Sequence, residues 1–184
     1  MRGLHRAGVI AGTIYVACRQ NYCPRTDAEI AVMCGLQPAV ATRGCTHVQE
    51  IIHNLERADG SVDKTVMHQP EPDLFVDRFC FRLNLPAELA TVCKFVLHVA
   101  SKQGIMSGST PHSIAAGVIY YVAAACGHKC SKSAVANASG LSEATVSKCY
   151  RRLVDSGTPY IPEDVSRKFK KSSRTGGTKT SQQK

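Results

Sequence analysis

No two of the nine cysteines stand in a CxxC pair, Trp is absent, and neither a GxxxxGKS/T nor a GxGxxG stretch occurs. The first absence excludes a zinc ribbon and a thioredoxin-type redox motif, which both need thiols two residues apart. The missing glycine motifs exclude the usual backbone cradles for nucleotide phosphates. Long apolar runs are also lacking. The most apolar stretch, Ile114–Cys126, spans thirteen residues, too short for a bilayer, and reads as a buried helix. Met1–Gly12 carries Arg2 and Arg6, but no apolar run or small-residue cleavage site of a secretory leader follows. With an odd cysteine count, this fits reduced thiols in the cytosol or nucleus, most of them small hydrophobes in helix cores. Cys126-Gly-His128-Lys-Cys130 could be read as metal ligands, but zinc takes four and no second cluster has suitable spacing, so a loop between helices is the reading adopted. Cys18, His112 beside Ser113, and the seven scattered histidines lack the elbow glycines and motif order of a nucleophile with its base. The expectation is a protein that is not an enzyme, needs no cofactor and binds no membrane.

Acidic residues are missing from one place in particular. Ser166–Lys184 holds seven basic residues (Arg167, Lys168, Lys170, Lys171, Arg174, Lys179 and Lys184) and no acidic one. Without them, 16 of the 23 Lys and Arg residues face all 14 Asp and Glu residues, a balance of only +2 against +9 for the whole chain. The basic character is therefore mainly a tail property and does not by itself make the folded part a nucleic-acid binder. Ser172–Lys184, rich in Lys, Ser, Thr, Gly and Gln, reads as disordered.

What is present is a core and a repeat. Hydrophobic residues make up 43% of 184, enough for one ordinary domain or two small ones. Shifting the sequence by 105 residues aligns 11–39 with 116–144, and eight of the 29 positions are identical. Among them are Ala11/Ala116, Gly12/Gly117, Tyr15/Tyr120, Ala31/Ala136, Gly35/Gly140 and Ala39/Ala144. Chance would give about two at roughly 7% usage of each common residue. So long a period marks a domain duplication rather than a solenoid. Each copy reads as a small-residue central helix (Ala7–Arg19, Ser113–Ala125), a short capped helix and a longer one (Pro38–Arg57, Glu143–Val154). Thr26 with Glu29 forms a capping box, and Ser131 holds the matching place. A Gly-Leu turn separates the last two, which is the helix-turn-helix pattern. Two further helices, Asp73–Leu83 and Pro86–Lys102, precede the second copy, with Pro86 as first helical residue. The expected organisation is 1–57 as a partial first repeat, 58–72 as linker, 73–157 as second repeat, and 158–184 as a C-terminal segment with a basic tail.

The second helix-turn-helix carries the clearest functional signal. In Glu143–Val154, Val146, Tyr150 and Leu153 form an inner face, which leaves Ala144, Ser147, Lys148 and Arg151 outward. Small residues near the helix start allow approach to base edges, and Lys148 and Arg151 can reach phosphates or guanine. Thr145 completes the candidate set, and Lys132 and Arg152 flank it.

The segments Ile14-Tyr-Val-Ala-Cys-Arg-Gln20 and Pro24-Arg-Thr-Asp-Ala-Glu-Ile30 resemble the first cyclin-like repeat of the transcription initiation factor IIB family. The second repeat is resembled by Phe79-Cys80, Leu83-Asn-Leu-Pro86, Thr110-Pro-His-Ser-Ile-Ala-Ala116 and Gly140-Leu-Ser-Glu-Ala-Thr-Val146. Tyr160-Ile-Pro-Glu-Asp164 is similar to the family's stretch after the repeats, so the likeness runs from about Arg2 to Asp164. It implies an all-α fold of two cyclin-like helical repeats, the first with about three helices, the second with about five and ending in the helix-turn-helix.

The resemblance also implies nuclear localisation and three partners: the TATA-binding protein, promoter DNA and RNA polymerase II. The polymerase contact is weakened because the family's N-terminal zinc ribbon has no counterpart here. In the family a valine and an arginine of the recognition helix read an element upstream of the TATA box. The matching positions hold Ala144 and Ser147, and the family's Gly-Arg-Ser-Pro appears as Gly108-Ser109-Thr110-Pro111. Neither Ala144 nor Ser147 can make a bidentate bond to guanine, so backbone contact with little preference for that element is expected. The readings held beside this one are a polymerase III-type relative and a cyclin-like adaptor that does not bind DNA.

Overall fold

The computed structural model describes residues 3–58, 65 and 70–175. These form nine α-helices, with no strand among the described residues, in two compact units, 1–74 and 75–184. Most of the expected linker, 59–64 and 66–69, lies outside the described residues.

The first unit contains α1 (Gly3–Gln20), α2 (Asp27–Met33) and α3 (Pro38–Ala58). The capping box at α2 is complete: the Thr26 hydroxyl accepts from the Glu29 N–H at 3.1 Å, and the Thr26 N–H donates to the Glu29 carboxylate at 2.9 Å. The helix stops at Gly35, whose φ of 62° suits a residue without Cβ, and the Leu36 N–H donates back to the Ala31 carbonyl at 2.9 Å. Helices α1 and α3 meet backbone to backbone. A Cβ on Gly44 would overlap the Gly8 carbonyl, and one on Gly12 would overlap the Gly44 carbonyl. Only Gly at these positions permits such close packing.

The second unit comprises the body of α4 (Asp73–Arg82), then α5 (Ala87–Lys102), α6 (Pro111–Ala125), α7 (Lys132–Ser139), α8 (Glu143–Asp155) and α9 (Glu163–Thr175). Pro86, expected as the first helical residue of α5, is instead its N-cap, and the helix begins one place later at Ala87. Helix α6 is the centre, with Ala115, Ala116, Val118, Ile119, Val122 and Ala123 fully buried, as its small-residue composition predicts. Phe75, Val76 and Phe79 of α4 and Leu89, Cys93 and Val96 of α5 pack in the same core. Lys94 and Asp77 join the two helices at the surface, 2.6 Å apart.

The duplication holds to the residue. Helices α7 and α8 begin exactly 105 positions after α2 and α3. Gly140 repeats the left-handed φ at 70°, and Leu141 donates to Ala136 at 2.9 Å. Gly117 meets Cys149 as Gly12 meets Gly44, so the one seam is glycine on cysteine and the other glycine on glycine. The two central helices differ in surroundings. Helix α6 is buried along most of its length, with Ala124 its one exposed residue, whereas α1 leaves Ile10 half exposed.

Two expectations need correction. The inner face of α8 is Val146, Cys149 and Leu153, while Tyr150 sits half-buried at the edge against Tyr120, ring centroids 5.0 Å apart. Cys149 takes the inner position because Gly117 leaves room for it. The chain after α8 is also more ordered than its low complexity suggests. Ser172–Thr175, expected to be disordered, ends helix α9, and residues 176–184 lie outside the described ones. Tyr160 and Ile161 are buried, Val165 and Phe169 pack on the core, and the Ser166 hydroxyl donates to the Ala125 carbonyl at 2.8 Å. Two apolar residues at i, i+4 were enough to dock a helix that is otherwise polar.

Candidate nucleic-acid interface

Helices α7 and α8 form a capped helix-turn-helix. Ser131 caps α7 through the Ala134 N–H at 3.1 Å, and Ser142 caps α8 through the Thr145 N–H at 3.2 Å. Val135, Ala136 and Val146 pack with Ala116 of the central helix in a small cluster that fixes the pair to the body. The Arg82 guanidinium donates to the Ala138 carbonyl at 2.8 Å, tying the end of α4 to the end of α7. Arg82 is a positioning residue that the sequence pattern did not single out, because only the fold brings residues 56 apart into contact.

The candidate side chains divide by direction. Ala144, Lys148 and Arg151 are exposed and stand at i, i+4 and i+7, one stripe along α8. Lys132 is exposed at the first turn of α7. Thr145 is half-buried and its hydroxyl lies 2.9 Å from that of Ser142, so it serves the cap. Ser147 is half-buried, about 100° of helix rotation from Lys148. Arg152 is turned inward: its Nη1 donates to the Ser109 hydroxyl at 2.8 Å and to the Ser107 carbonyl at 3.2 Å. It therefore holds the loop before α6 against the recognition helix. Glu143 adds an exposed carboxylate beside Ala144. The outward stripe can offer two cations to a phosphate backbone and one methyl group to a base edge, but no fork for guanine.

The cysteines and His128 of the 126–130 segment are placed by packing. Cys126 is buried in the core and His128 lies against Phe169, ring centroids 6.1 Å apart. Burial pushes both the Cys126 and Cys130 thiols above their ordinary range. Among the described residues no grouping of three or more His, Cys, Asp or Glu is arranged to hold a metal ion. Burial likewise raises Cys45, in the first unit, to about 11.

Residues 65–156, which span the helix-turn-helix and the helices that hold it, match the model of the transcription factor TFIIB repeat. The chain belongs to the transcription factor IIB family. It is 31% identical to transcription initiation factor IIB of Encephalitozoon cuniculi, over 91% of this chain and 50% of that protein. Its identity to the Dictyostelium discoideum factor IIB is 29%, over 85% of this chain and 46% of that protein. A putative transcription initiation factor IIB-like protein of Acanthamoeba polyphaga mimivirus is 27% identical over 88% of this chain and 34% of its own length. The chain thus spans about half the length of the factor IIB relatives it matches. Cyclin-like helical repeats are the fold expected of this family, and the second unit has the five helices, α4 to α8, foreseen for it.

Proposed function

We propose that this chain acts in transcription initiation as a promoter-binding core. In this reading it recognises the complex of the TATA-binding protein with promoter DNA and helps to bring RNA polymerase II to it in the nucleus. The observation that carries it is the outward stripe Ala144, Lys148 and Arg151 on a capped helix-turn-helix in a member of the factor IIB family. Lys148 and Arg151 contact the DNA backbone, and Lys132 extends that contact from the start of α7. Five of the seven basic residues of Ser166–Lys184 belong to helix α9, which docks on the core, so the requirement for the partner rests on the factor IIB likeness and not on a low charge of the folded part. Gel shifts with promoter duplex, alone and saturated with the TATA-binding protein, test the reading. Far tighter binding to the complex is expected, and equal tight binding to both probes would contradict it.

A further inference from the structure

Helix α9 follows residues 65–156, the stretch that matches the family's repeat, so the repeat does not account for it. Its charges are sorted along its length. Glu163 and Asp164 open the helix, and both pair with Arg167. Lys168, Lys170, Lys171 and Arg174 follow with no acid among them. The helix is held on the body by Val165 and Phe169, by the Ser166 bond to the Ala125 carbonyl, and by the stacking of Phe169 near His128. Lys170 lies over the loop between α6 and α7: a Cβ on Gly127 would stand 3.1 Å from its Cγ and 3.9 Å from its Cα. Gly127 has φ of 75°, so glycine serves both the turn and the close approach of α9.

The surface that this end of α9 joins is basic too. Lys129, two residues after Gly127, is exposed, and exposed Lys132 opens α7. At about 3.8 Å between consecutive Cα atoms, the Lys129 Cα lies within about 8 Å of that of Gly127. Between Glu88 and Glu143 the chain has no Asp or Glu, and this stretch supplies nearly all of α5, all of α6, the loop and all of α7. Lys170, Lys129 and Lys132 thus make one run of cations from α9 across the loop to the helix-turn-helix. In such a motif the first helix crosses the nucleic-acid backbone, and Lys132 stands at its start. The exposed large apolar side chains of the unit, Leu74, Phe81, Phe95 and Val154, all lie outside this run. It therefore lacks the apolar anchors of a protein interface and the exposed rings on which unpaired bases stack. Closely spaced cations without anchors fit the phosphates of a duplex.

We infer that Lys170 of α9, Lys129 and Lys132 form a cationic ridge that takes phosphates of duplex DNA beside the helix-turn-helix, whatever the base sequence. The ridge is built rather than loose, because the docking of α9 sets Lys170 next to the loop. The inference rests on the DNA-binding reading above and extends the contact to a helix outside the repeat.

The test uses the full chain on promoter duplex saturated with the TATA-binding protein, with affinity measured between about 50 and 200 mM salt. Each phosphate contact contributes a slope of about 0.9 to log K against log salt. The Lys129→Gln, Lys170→Gln double variant should lower the slope by about 1.8, so that its affinity loss is roughly 12-fold larger at the low end of that range than at the high end. Arginine at both positions should keep the slope. Lys102→Gln, at the far end of α5, should keep it as well, and circular dichroism checks that helix content is unchanged. In hydroxyl-radical footprints the double variant should lose a stretch of backbone protection that adjoins the helix-turn-helix footprint, and changing the bases of that stretch should leave the native protection as it was. Phe169→Ala keeps every charge but frees α9, and it should lose part of the same stretch; full retention would show that charge alone suffices and would overturn the built ridge. If Lys148→Ala lowers the slope and the ridge variant does not, the ridge takes no phosphate and the inference fails while the DNA-binding reading stands. If the ridge variant binds more weakly by the same factor at every salt concentration, with the footprint intact, the ridge faces protein and the inference is overturned. If the native chain binds no promoter complex, both readings fail together.

Discussion

Replacing Arg152 by alanine separates a residue that holds the interface in shape from one that touches DNA. By position Arg152 belongs with Lys148 and Arg151, but its guanidinium is engaged with Ser107 and Ser109 of the loop before α6. A hydrogen bond from a charged group contributes about 1.5–3 kcal/mol when well buried. Arg152 is half-buried and water can replace part of the interaction, so about 1–2 kcal/mol for the two bonds together is a fair figure. For a unit of this size that corresponds to a fall in melting temperature of about 4–10 °C. The salt slope of DNA binding should stay within a few tenths of the native value, because no phosphate contact is lost. Arg151→Ala should do the reverse, leaving the melting temperature nearly unchanged and lowering the slope by about 0.9. Thermal melts followed by circular dichroism, with affinities on the same preparations, decide the matter. An Arg152→Ala chain that melts like the native one and loses a full phosphate increment would refute the assignment.

Three further outcomes are expected. Gly44→Ala should destabilise the first unit by about 1–3 kcal/mol or more in urea titration, since the new Cβ meets the Gly8 backbone rather than a side chain that can move. Ending the chain after Val165 should lower the melting temperature, as Phe169 leaves the core and the Ser166 bond to Ala125 is lost, at a combined cost of about 2–3 kcal/mol; an unchanged melt would mean that α9 is not docked. Ser147→Arg should create a preference for a GC-containing element upstream of the TATA box of about 1–3 kcal/mol, where the native chain shows little. Paired promoter complexes differing only in that element measure it, and ten-fold discrimination by the native chain would show that another side chain reads the bases.

The duplication was the most legible feature of the sequence because it is written in residues with a backbone duty. Gly35 and Gly140 hold the same left-handed turn, Thr26 and Ser131 the same cap, and Gly12 and Gly117 the same helix crossing. Such positions are constrained locally and can be read without knowing the fold. The inner face of α8 was less legible, because Tyr150 and Cys149 are neighbours and only the partner Gly117 decides that the smaller one goes in. Helix α9 escaped because composition averages over its length, while its docking depends on Val165 and Phe169 alone. Arg152 could be placed on the correct helix from its spacing, but its loop partners lie 43 and 45 residues away. The contact of the His5 and His47 rings was invisible for the same reason: they become neighbours only through the glycine seam.

The central claim is that the helix-turn-helix of the second unit lies on promoter DNA next to the TATA-binding protein. Hydroxyl-radical footprinting on a promoter duplex tests it most directly, with the TATA-binding protein alone, with the chain added, and with the Lys148→Ala, Arg151→Ala double variant added. The account expects the chain to add backbone protection upstream of the TATA box only when the TATA-binding protein is present, and expects the double variant to lose that upstream protection. No added protection, or the same protection from the double variant, would contradict it.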